Sequence, residues 1–334
     1  MKLLVTGGAG VIGSNFGAHR VEAGDEVLVL DLLTYAGHAE NLAPVLADVR
    51  FVQGDICDKG TVDGLVTSDL DAVVNFAAES HVDRSILDSG DFVRTNVLGV
   101  QVLLDAVQRS GCGRLLQVST DEVYGPTAPR QVATERSNLE PSSPYASSKA
   151  AADLLCLAFR QTHGTPVLIT RCTNNYGPHQ YPEKLIPLFL LRAMADEELP
   201  LYGDGLHERD WLHVEDHCRA LSAVLADGKD GEVYNIAYGE PVPNRLVVEA
   251  LLHELDKPDT LIRSVEDRPG HDRRYAVDSK KIRADLGWEP RIPLGTGLRR
   301  TVAWYRDHRE WLEAVTGPEF DQYCAALYGD RKQA

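Results

Sequence analysis

The run Thr6-Gly7-Gly8-Ala9-Gly10-Val11-Ile12-Gly13 follows the apolar stretch Leu3-Leu4-Val5 and opens an amphipathic one. A strand, a glycine-rich turn and a helix in this order are typical of the first unit of a dinucleotide-binding fold. The three spaced glycines permit a tight turn, close approach of the backbone to a pyrophosphate, and close packing of helix on strand. The residues predicted to hold a dinucleotide at the helix N-terminus are Gly7, Gly10, Val11, Ile12 and Gly13.

Beyond this turn, short apolar runs alternate with longer amphipathic stretches through the first half of the chain. The runs predicted to be buried strands cover residues 3–5, 27–30, 72–76, 115–118 and 167–169. Helical patterns lie near residues 11–23, 58–68, 84–110 and 144–162. This alternation predicts an α/β protein with a doubly wound parallel (Rossmann) sheet. We assign residues 1–174 to a nucleotide-binding domain. Residues 175–334, richer in proline and glycine, form a smaller mixed α/β substrate region, parts of which can return to the sheet.

Acidic residues end the next two strands. Asp31 closes the second strand, where a carboxylate hydrogen-bonds an adenosine ribose and repels a 2′-phosphate, which favours NAD over NADP. Asp55 and Ile56 follow the third strand and are candidates for the adenine edge. The sequence equally allows Asp55 or Asp58 to be a helix N-cap.

Tyr145 and Lys149 lie four residues apart in a predicted helix, which Ser143 can cap and Pro144 can begin. They therefore share one helical face. A cation beside a phenol lowers the pKa of the phenol and makes it a base for an alcohol proton. The same ammonium can hold a nicotinamide ribose. Upstream, a strand ends in Ser119-Thr120-Asp121-Glu122-Val123-Tyr124-Gly125.

Composition excludes several classes of function. The 334 residues carry a formal net charge of −16 without a basic cluster, which argues against nucleic acid or an anionic membrane as partner. No apolar run reaches the length of a membrane span, and no signal-peptide pattern is evident. The six cysteines lack paired or metal-like spacing, so we expect reduced thiols in a cytoplasmic protein. His213 and His217 have the spacing of zinc-helix histidines but no third ligand, so no metal is expected.

Further runs extend these motifs to the second half of the chain. They are Ala77-Ala78-Glu79-Ser80-His81-Val82-Asp83-Arg84-Ser85, Asn174-Asn175-Tyr176-Gly177-Pro178, Pro182-Glu183-Lys184-Leu185-Ile186-Pro187, Arg209-Asp210-Trp211 and Asp267-Arg268-Pro269-Gly270-His271-Asp272. With them, the chain resembles the extended short-chain dehydrogenase/reductase superfamily and, within it, the dTDP-glucose 4,6-dehydratases. The resemblance runs from Gly7 to about Tyr305.

The resemblance implies a catalytic set. Oxidation at the sugar C4 acidifies the C5 proton, and loss of water across C5–C6 needs a base and an acid. Two neighbouring carboxylates suit this task because mutual repulsion and unequal burial can keep one protonated. In the family pattern Glu122 is the base at C5, Asp121 the acid toward C6, Thr120 a hydrogen-bond partner of the C4 oxygen, and Tyr145 its base beside Lys149. Without that context, Asp121-Glu122 would be a solvated acidic turn.

The resemblance also implies a substrate set. Ala77 belongs with the cofactor, and Arg209 and Arg268 are candidates for the diphosphate because guanidinium forks bind phosphate oxygens in pairs. Asn174 faces the phosphates and Tyr202 stacks near the base, although Tyr202 could equally be core. Arg84 meets the sugar or anchors a helix start. The remaining expected contacts to the nucleotide sugar are Ser80, His81, Lys184, Leu185, Asn244 and His271.

Three alternatives remain open. The scaffold also suits a UDP-sugar 4,6-dehydratase, or a 4-epimerase or decarboxylase. A third reading is a non-catalytic NAD-binding regulator, which would be expected to lose Tyr145, Lys149 or the carboxylate pair. The resemblance implies a homodimer through the helices near 84–110 and 144–162. His38 departs mildly from the family pattern, and the tail from residue 315 to 334 has no assigned place.

Overall fold

A seven-stranded sheet forms the centre of the computed structural model, which describes residues 1–318, 320 and 322. Its strand order is β11-β6-β5-β4-β1-β2-β3, and every neighbouring pair is parallel. The strands of this sheet are β1 (Lys2–Thr6), β2 (Glu26–Asp31), β3 (Val49–Gln53), β4 (Ala72–Asn75), β5 (Leu115–Thr120), β6 (Val167–Cys172) and β11 (Val233–Ile236). The doubly wound parallel sheet predicted from the sequence is confirmed.

Helices cover both faces of this sheet, and two separate apolar clusters fill the space between them. The helices of the first half are α1 (Val11–Glu22), α2 (Lys59–Leu65), α3 (Val82–Leu87), α4 (Gly90–Val93), α5 (Val100–Ser110) and α6 (Pro144–His163). The predicted helices at 11–23, 58–68 and 144–162 are confirmed. Ser143 caps α6 by accepting from the Ala146 N–H at 3.1 Å, as the sequence indicated.

The single helix predicted over residues 84–110 is wrong. The chain leaves helical geometry at Asp88, whose side chain accepts a hydrogen bond from the Gly90 N–H at 2.9 Å. This local turn competes with helical bonding, and Ser89 and Gly90 add little helix propensity against it. Helix resumes at α4 and passes through a π-helical stretch, Arg94–Gly99, before α5. The break leaves α3 short, with His81 and Asp83 at its start.

The residues after 174 build a third apolar cluster beside the carboxyl edge of the sheet. They are not separate from the sheet, because β11 pairs with β6 in parallel register. The remaining strands are β7 (Asn174–Tyr176), β8 (Leu199–Tyr202), β9 (Glu208–Arg209), β10 (Trp211–His213), β12 (Val242–Pro243) and β13 (Ile262–Val265). The remaining helices are α7 (Leu185–Met194), α8 (Val214–Asp227), α9 (Asn244–Glu254), α10 (Lys280–Leu286), α11 (Leu294–Asp307) and α12 (Arg309–Val315).

Two expectations on composition can be compared with the structure. The five cysteines in the described part of the chain are free thiols, and Cys324 lies outside the described residues. Among the described helices, none combines the length and apolarity needed to cross a bilayer. Most of the tail that the sequence could not place, 315–334, also lies outside the described residues.

Candidate active site

A cavity of about 420 Å³ opens at the carboxyl edge of the sheet, where the strand order reverses between β1 and β4. Ligands of open parallel sheets bind at this switch point. The cavity wall contains every residue predicted for the cofactor and for catalysis. These are Gly7, Gly10, Val11, Ile12, Gly13, Asp31, Asp55, Ile56, Ala77, Thr120, Asp121, Glu122, Tyr145 and Lys149.

The glycines of the first turn serve two different purposes. A Cβ on Gly7 would lie 2.4 Å from the Ala77 nitrogen, and Gly7 has a φ of +67°, so the fold itself requires glycine there. A Cβ on Gly13 would lie 2.2 Å from the Gly7 carbonyl oxygen, so packing of α1 on the turn also requires glycine. At Gly10, in contrast, the nearest atom would be at an ordinary 3.4 Å. Gly10 therefore leaves bare backbone facing the cavity at the start of α1, which fits a dinucleotide pyrophosphate.

Asp31 is buried and held by two backbone groups, accepting from the Ala9 N–H and the Leu33 N–H at 2.8 Å each. Burial raises its pKa, and these two hydrogen bonds oppose the rise. A carboxylate has capacity for further donors, so it can still accept from a ribose. Asp58 caps α2, whereas Asp55 accepts from the Cys57 N–H and pairs with Arg94 at the cavity wall. Of the two N-cap candidates that the sequence left open, Asp58 is the one that caps α2.

The carboxylate pair follows directly from the end of β5. Asp121 is 2% exposed, and its Oδ2 has no hydrogen-bond partner among the described residues. Burial, reinforced by Glu122, raises the pKa of Asp121 to about 8. Burial also raises the pKa of Glu122, but nearby cations oppose the rise, namely Arg268, Arg209 and Lys184. Burial therefore favours the protonated form of Asp121 at neutral pH, whereas at Glu122 the cations oppose the effect of burial.

The expected effect of Lys149 on the phenol of Tyr145 is not found. Burial raises the pKa of Tyr145 well above its ordinary value, and the charges of Glu122 and Asp121 raise it further, while a hydrogen bond with Thr120 lowers it. Lys149 donates instead to the Val118 carbonyl at 2.7 Å. The prediction of a lowered phenol pKa is wrong for this arrangement, because desolvation and two carboxylates outweigh a cation directed elsewhere.

The predicted substrate residues form two groups. Ser80, Asn174 and Lys184 line the cavity, and Lys184 donates to the Ser80 carbonyl at 2.9 Å. The others lie outside the cavity wall and are His81, Arg84, Leu185, Tyr202, Arg209, Asn244, Arg268 and His271. Of these, Arg209 and Arg268 lie close enough to Glu122 for their charges to lower its pKa against the effect of burial.

Asp83 was not among the predicted site residues, but its carboxylate binds two members of this outer group. Its carboxylate accepts from the Tyr202 hydroxyl at 3.2 Å and from Arg268 Nη1 at 3.1 Å. Asp83 belongs to α3, in the first half of the chain, whereas Tyr202 ends β8 and Arg268 follows β13. The Nε of Arg268 is buried without a hydrogen-bond partner in the described structure, so it remains available as a donor.

Most of the other outer residues also have identified partners. Arg84 pairs with buried Glu183 at 3.2 Å and lies over the ring of Tyr35 at 3.8 Å. Arg209 donates to the Asp272 carbonyl at 2.9 Å. His81 precedes α3 and is kept neutral, because burial and three neighbouring cations lower its pKa well below the ordinary value. Neither Glu183 nor Asp83 was predicted as a site residue. The sequence around Glu183 offered no indication of its role except that it precedes Lys184.

The two remaining residues of the outer group lie on α7 and α9. Leu185 begins α7 and packs against the third apolar cluster. Asn244 begins α9, and its side-chain oxygen is buried without a partner in the described part of the chain.

His271 belongs to a compact cluster with Asp267 and His207. Its Nδ1 lies 2.6 Å from one Asp267 oxygen, and His207 Nε2 lies 3.1 Å from the other. Among the described residues this is the group whose side chains come close enough for a shared metal ion. The two rings are stacked 3.8 Å apart at 9°, so their in-plane lone pairs run parallel and do not converge on one ion. The cluster is better described as two imidazoles held by one carboxylate.

His213 and His217, the pair with zinc-helix spacing, each have a structural contact. His213 Nδ1 accepts from the Glu215 N–H at 3.3 Å and caps α8, and His217 Nδ1 lies 2.9 Å from Asn175 Oδ1. Both rings are buried, and burial lowers the pKa of His217 to about 3. These contacts account for the positions of both histidines without a metal.

Together, the parallel sheet, the glycine turn and the Thr120–Tyr145–Lys149 constellation at one cavity define an extended short-chain dehydrogenase/reductase. Comparison with known proteins refines this class. The family model described as GDP-mannose 4,6 dehydratase matches residues 4–301. The chain belongs to the dTDP-glucose 4,6-dehydratase family, as its similarity to curated members over nearly its whole length shows.

Two such members illustrate the extent of the similarity. The dTDP-glucose 4,6-dehydratase of Streptomyces niveus is 51% identical over 96% of this chain and 97% of its own length. The Escherichia coli enzyme of the same name is 45% identical over 94% of this chain and 96% of its own length.

Solved structures agree with this placement. A dTDP-glucose 4,6-dehydratase from Streptomyces venezuelae, crystallised with NAD bound, has a TM-score of 0.91 and 50% identity, covering 95% of this chain and all of its own. A UDP-glucose 4-epimerase from Thermotoga maritima has a TM-score of 0.87 at 29% identity, covering 92% of this chain and 99% of its own. The scaffold is therefore shared between dehydratases and epimerases.

Proposed function

We propose that this chain is an NAD-dependent dTDP-glucose 4,6-dehydratase, which converts dTDP-glucose to dTDP-4-keto-6-deoxy-glucose. The observation that carries the proposal is the pair of buried Asp121 and half-buried Glu122 beside Thr120 and Tyr145. A 4-epimerase needs the tyrosine and a hydroxyl but no carboxylate pair. Elimination of water across C5–C6 needs both an acid and a base, and the pair supplies two carboxyl groups in different electrostatic surroundings.

The cofactor fits the first half of the cavity. Gly10 and the N–H groups at the start of α1 would hold the pyrophosphate, Asp31 the adenosine ribose, and Asp55 and Ile56 the adenine edge. Tyr145 and Lys149 would border the nicotinamide ribose. When bound, NAD supplies the acceptor for a hydride from the sugar C4 and the donor of a hydride to C6, so no net oxidation results.

The protein side chains handle the protons of this sequence. Tyr145, with its phenol ionised, takes the proton of the C4 hydroxyl, and Thr120 donates a hydrogen bond to the same oxygen. Burial by itself favours the protonated phenol, and the positive nicotinamide of bound NAD would favour the ionised one. Glu122 removes the C5 proton, which the C4 ketone has made acidic. Asp121, protonated at neutral pH because its pKa is raised to about 8, donates a proton to the departing C6 hydroxyl, which leaves as water. After a hydride has been returned to C6, Glu122 gives its proton back to C5. The proton that Tyr145 took from the C4 hydroxyl balances, by exchange with solvent, the proton that Asp121 gave to the departing water.

The nucleotide diphosphate is assigned to the residues after 174. The charges of Arg209 and Arg268 act on Glu122, and the Nε of Arg268 has no hydrogen-bond partner among the described residues. Guanidinium groups bind phosphate oxygens in a forked geometry. The names of the relatives described above support thymidine over uridine as the base, and glucose as the hexose.

A product assay tests the proposal. Purified protein is mixed with dTDP-glucose, UDP-glucose or their N-acetyl relatives, and the alkali-induced absorbance of a 4-keto-6-deoxy sugar is measured. We expect product with dTDP-glucose and much less with UDP-glucose. Conversion to the C4 epimer, or absence of product from all four substrates, would refute the proposal.

A homodimer and a cytoplasmic location are also proposed. Exposed apolar side chains lie on the helices that the sequence assigned to the interface, among them Val93, Leu98 and Leu154. A second copy of the chain would cover them. The free thiols of the described cysteines suit a reducing compartment. Light scattering of the native protein and of Leu154→Glu tests the dimer, because a charge at this position should favour the monomer.

A further inference from the structure

The carbonyl and the N–H of Ala9, in the glycine-rich turn, are both held by residues outside the turn. Its N–H donates to Asp31, and its carbonyl accepts from the Asn41 Nδ2 at 2.7 Å and from the His38 N–H at 3.1 Å. Ala9 is fully buried next to Gly10, the residue that presents bare backbone to the cavity. The position of the pyrophosphate-binding backbone therefore depends on Asn41.

Asn41 is fixed in turn by the C-terminal part of the chain. It lies in the 3₁₀ segment Ala39–Val45, is 2% exposed, and its Oδ1 accepts from the indole N–H of Trp311 at 2.7 Å. An indole nitrogen can only donate and a carbonyl can only accept, so the orientation of the Asn41 amide is determined. A continuous hydrogen-bonded chain thus leads from Trp311 in α12 to the Ala9 carbonyl.

A second contact brings the same C-terminal cluster to the start of α1. Trp311 packs against Trp304 at 4.9 Å between ring centroids, and His179 lies 5.0 Å from Trp304 and 5.9 Å from Trp311. The Nδ1 of His179 is 3.3 Å from the Ser14 hydroxyl, directly after Gly13. Hence α12 and its aromatic neighbours reach the glycine turn from two sides.

We infer that Trp311 and Asn41 are positioning residues for the dinucleotide, and that α12 tunes how tightly the cofactor is held. The inference rests on the cofactor assignment in the proposed function. Neither residue lines the cavity, so each acts through the Ala9 carbonyl. If the Trp311 N–H is lost, the buried Asn41 oxygen is left without its donor, and the amide can rotate away from Ala9.

The test measures NAD affinity by calorimetric titration with NAD alone, so it does not depend on the sugar substrate or on turnover. Trp311→Phe keeps an aromatic ring but removes the donor, and we expect NAD to bind about tenfold more weakly. Trp304→Phe is the matched control because it keeps an aromatic ring against His179 and lies outside the hydrogen-bonded chain, so its NAD affinity should stay within twofold of the wild type. The melting temperatures of the two variants should be similar.

A double variant separates positioning from general loosening of the fold. Asn41→Leu should weaken NAD binding, and adding Trp311→Phe to it should weaken binding no further, because the two residues act in series. If Trp311→Phe does not fold, Asn41→Leu alone reports on the same link. Wild-type affinity in Trp311→Phe or Asn41→Leu, or equal weakening in Trp304→Phe, would overturn the inference alone. A wild-type protein that does not bind NAD would overturn the proposed function as well.

Discussion

The two halves of the site are built differently. Before residue 174, the cofactor side is made mostly of backbone and of side chains that bond within a few residues of one strand end, such as Asp31 with Leu33. After residue 174, the nucleotide-sugar side consists of long side chains from separate elements. Tyr202 and Arg268 there both bond to Asp83, which comes from the first half.

The difference has a physical origin. A dinucleotide offers the same pyrophosphate in every enzyme that binds it, so one turn and one helix N-terminus suffice. A nucleotide sugar must be recognised along its whole length, and this requires donors from several directions. The backbone of the turn gives the proposed cofactor site its shape, and tertiary contacts such as that of Asn41 with the Ala9 carbonyl adjust its position. The proposed substrate site is instead built from tertiary contacts themselves, so single substitutions can disconnect its members.

The largest effect is expected at the junction of the halves, at Glu122. Glu122→Gln keeps the shape of the side chain but removes the base, so kcat for dTDP-glucose should fall about 10³-fold. Exchange of the C5 proton with deuterated solvent, followed by NMR, should stop while NAD binding is unchanged. Continued exchange in this variant would remove Glu122 from the role of base.

The next largest effects are expected in the glycine turn, where one glycine should matter for stability and another for NAD binding. Gly13→Ala places a Cβ 2.2 Å from the Gly7 carbonyl oxygen and should cost about 3 kcal/mol of unfolding free energy. Gly10→Ala meets nothing closer than 3.4 Å, so its stability should change by less than about 1 kcal/mol. NAD should nevertheless bind ~30-fold more weakly to Gly10→Ala, because the added methyl group occupies the pyrophosphate position. Urea denaturation measures the stability of both variants, and titration measures their NAD affinity. An equal loss of stability in the two variants would contradict the separate roles of Gly13 and Gly10.

The residues on the cofactor side of the site were the ones that the sequence could predict. Every cofactor residue named from the glycine turn and the strand ends lines the cavity, because parallel strands bring their carboxyl ends to one edge. Asp83, Glu183 and Asp267 were not predicted, because nothing in the neighbouring sequence indicates their distant partners. The partners of Asp83 lie 119 and 185 positions away, and Arg84 lies 99 positions from Glu183. For Asp267 the partner His207 is 60 positions away. The direction of the Tyr145 pKa shift also failed, since it depends on desolvation and on where Lys149 points rather than on spacing.

The third prediction concerns the nucleotide-sugar side of the site and its dependence on Asp83. Asp83→Asn retains one hydrogen bond but removes the charge that holds Arg268, leaving that buried guanidinium weakly paired. KM for dTDP-glucose should rise about 20-fold, with kcat changed less than threefold and NAD affinity unaltered. Asp69→Asn, which changes a carboxylate on an exposed pair with Lys2, serves as the control and should leave KM unchanged. A fall in kcat alone would place Asp83 in the chemistry instead.

The smallest expected effect is the pH dependence of kcat/KM that follows from the titration of Asp121. With a pKa of about 8, the Asp121 carboxyl is protonated at neutral pH and loses its proton as the pH rises. As the acid in the elimination, it should make kcat/KM fall roughly tenfold between pH 7 and pH 9. A rate profile that stays flat to pH 9 would mean that another group protonates the leaving hydroxyl.

The same burial also affects stability, with a definite sign. The folded state binds the Asp121 proton more tightly than the unfolded chain, whose carboxyl has an ordinary pKa near 3.8. This group therefore stabilises the fold most at low pH and loses that contribution as the pH rises through about 8. Asp121→Asn cannot titrate, so its unfolding free energy should decline less between pH 5 and pH 8 than that of the wild type. Urea denaturation of both proteins at the two pH values measures the difference, and identical declines would show that the raised pKa does not belong to Asp121.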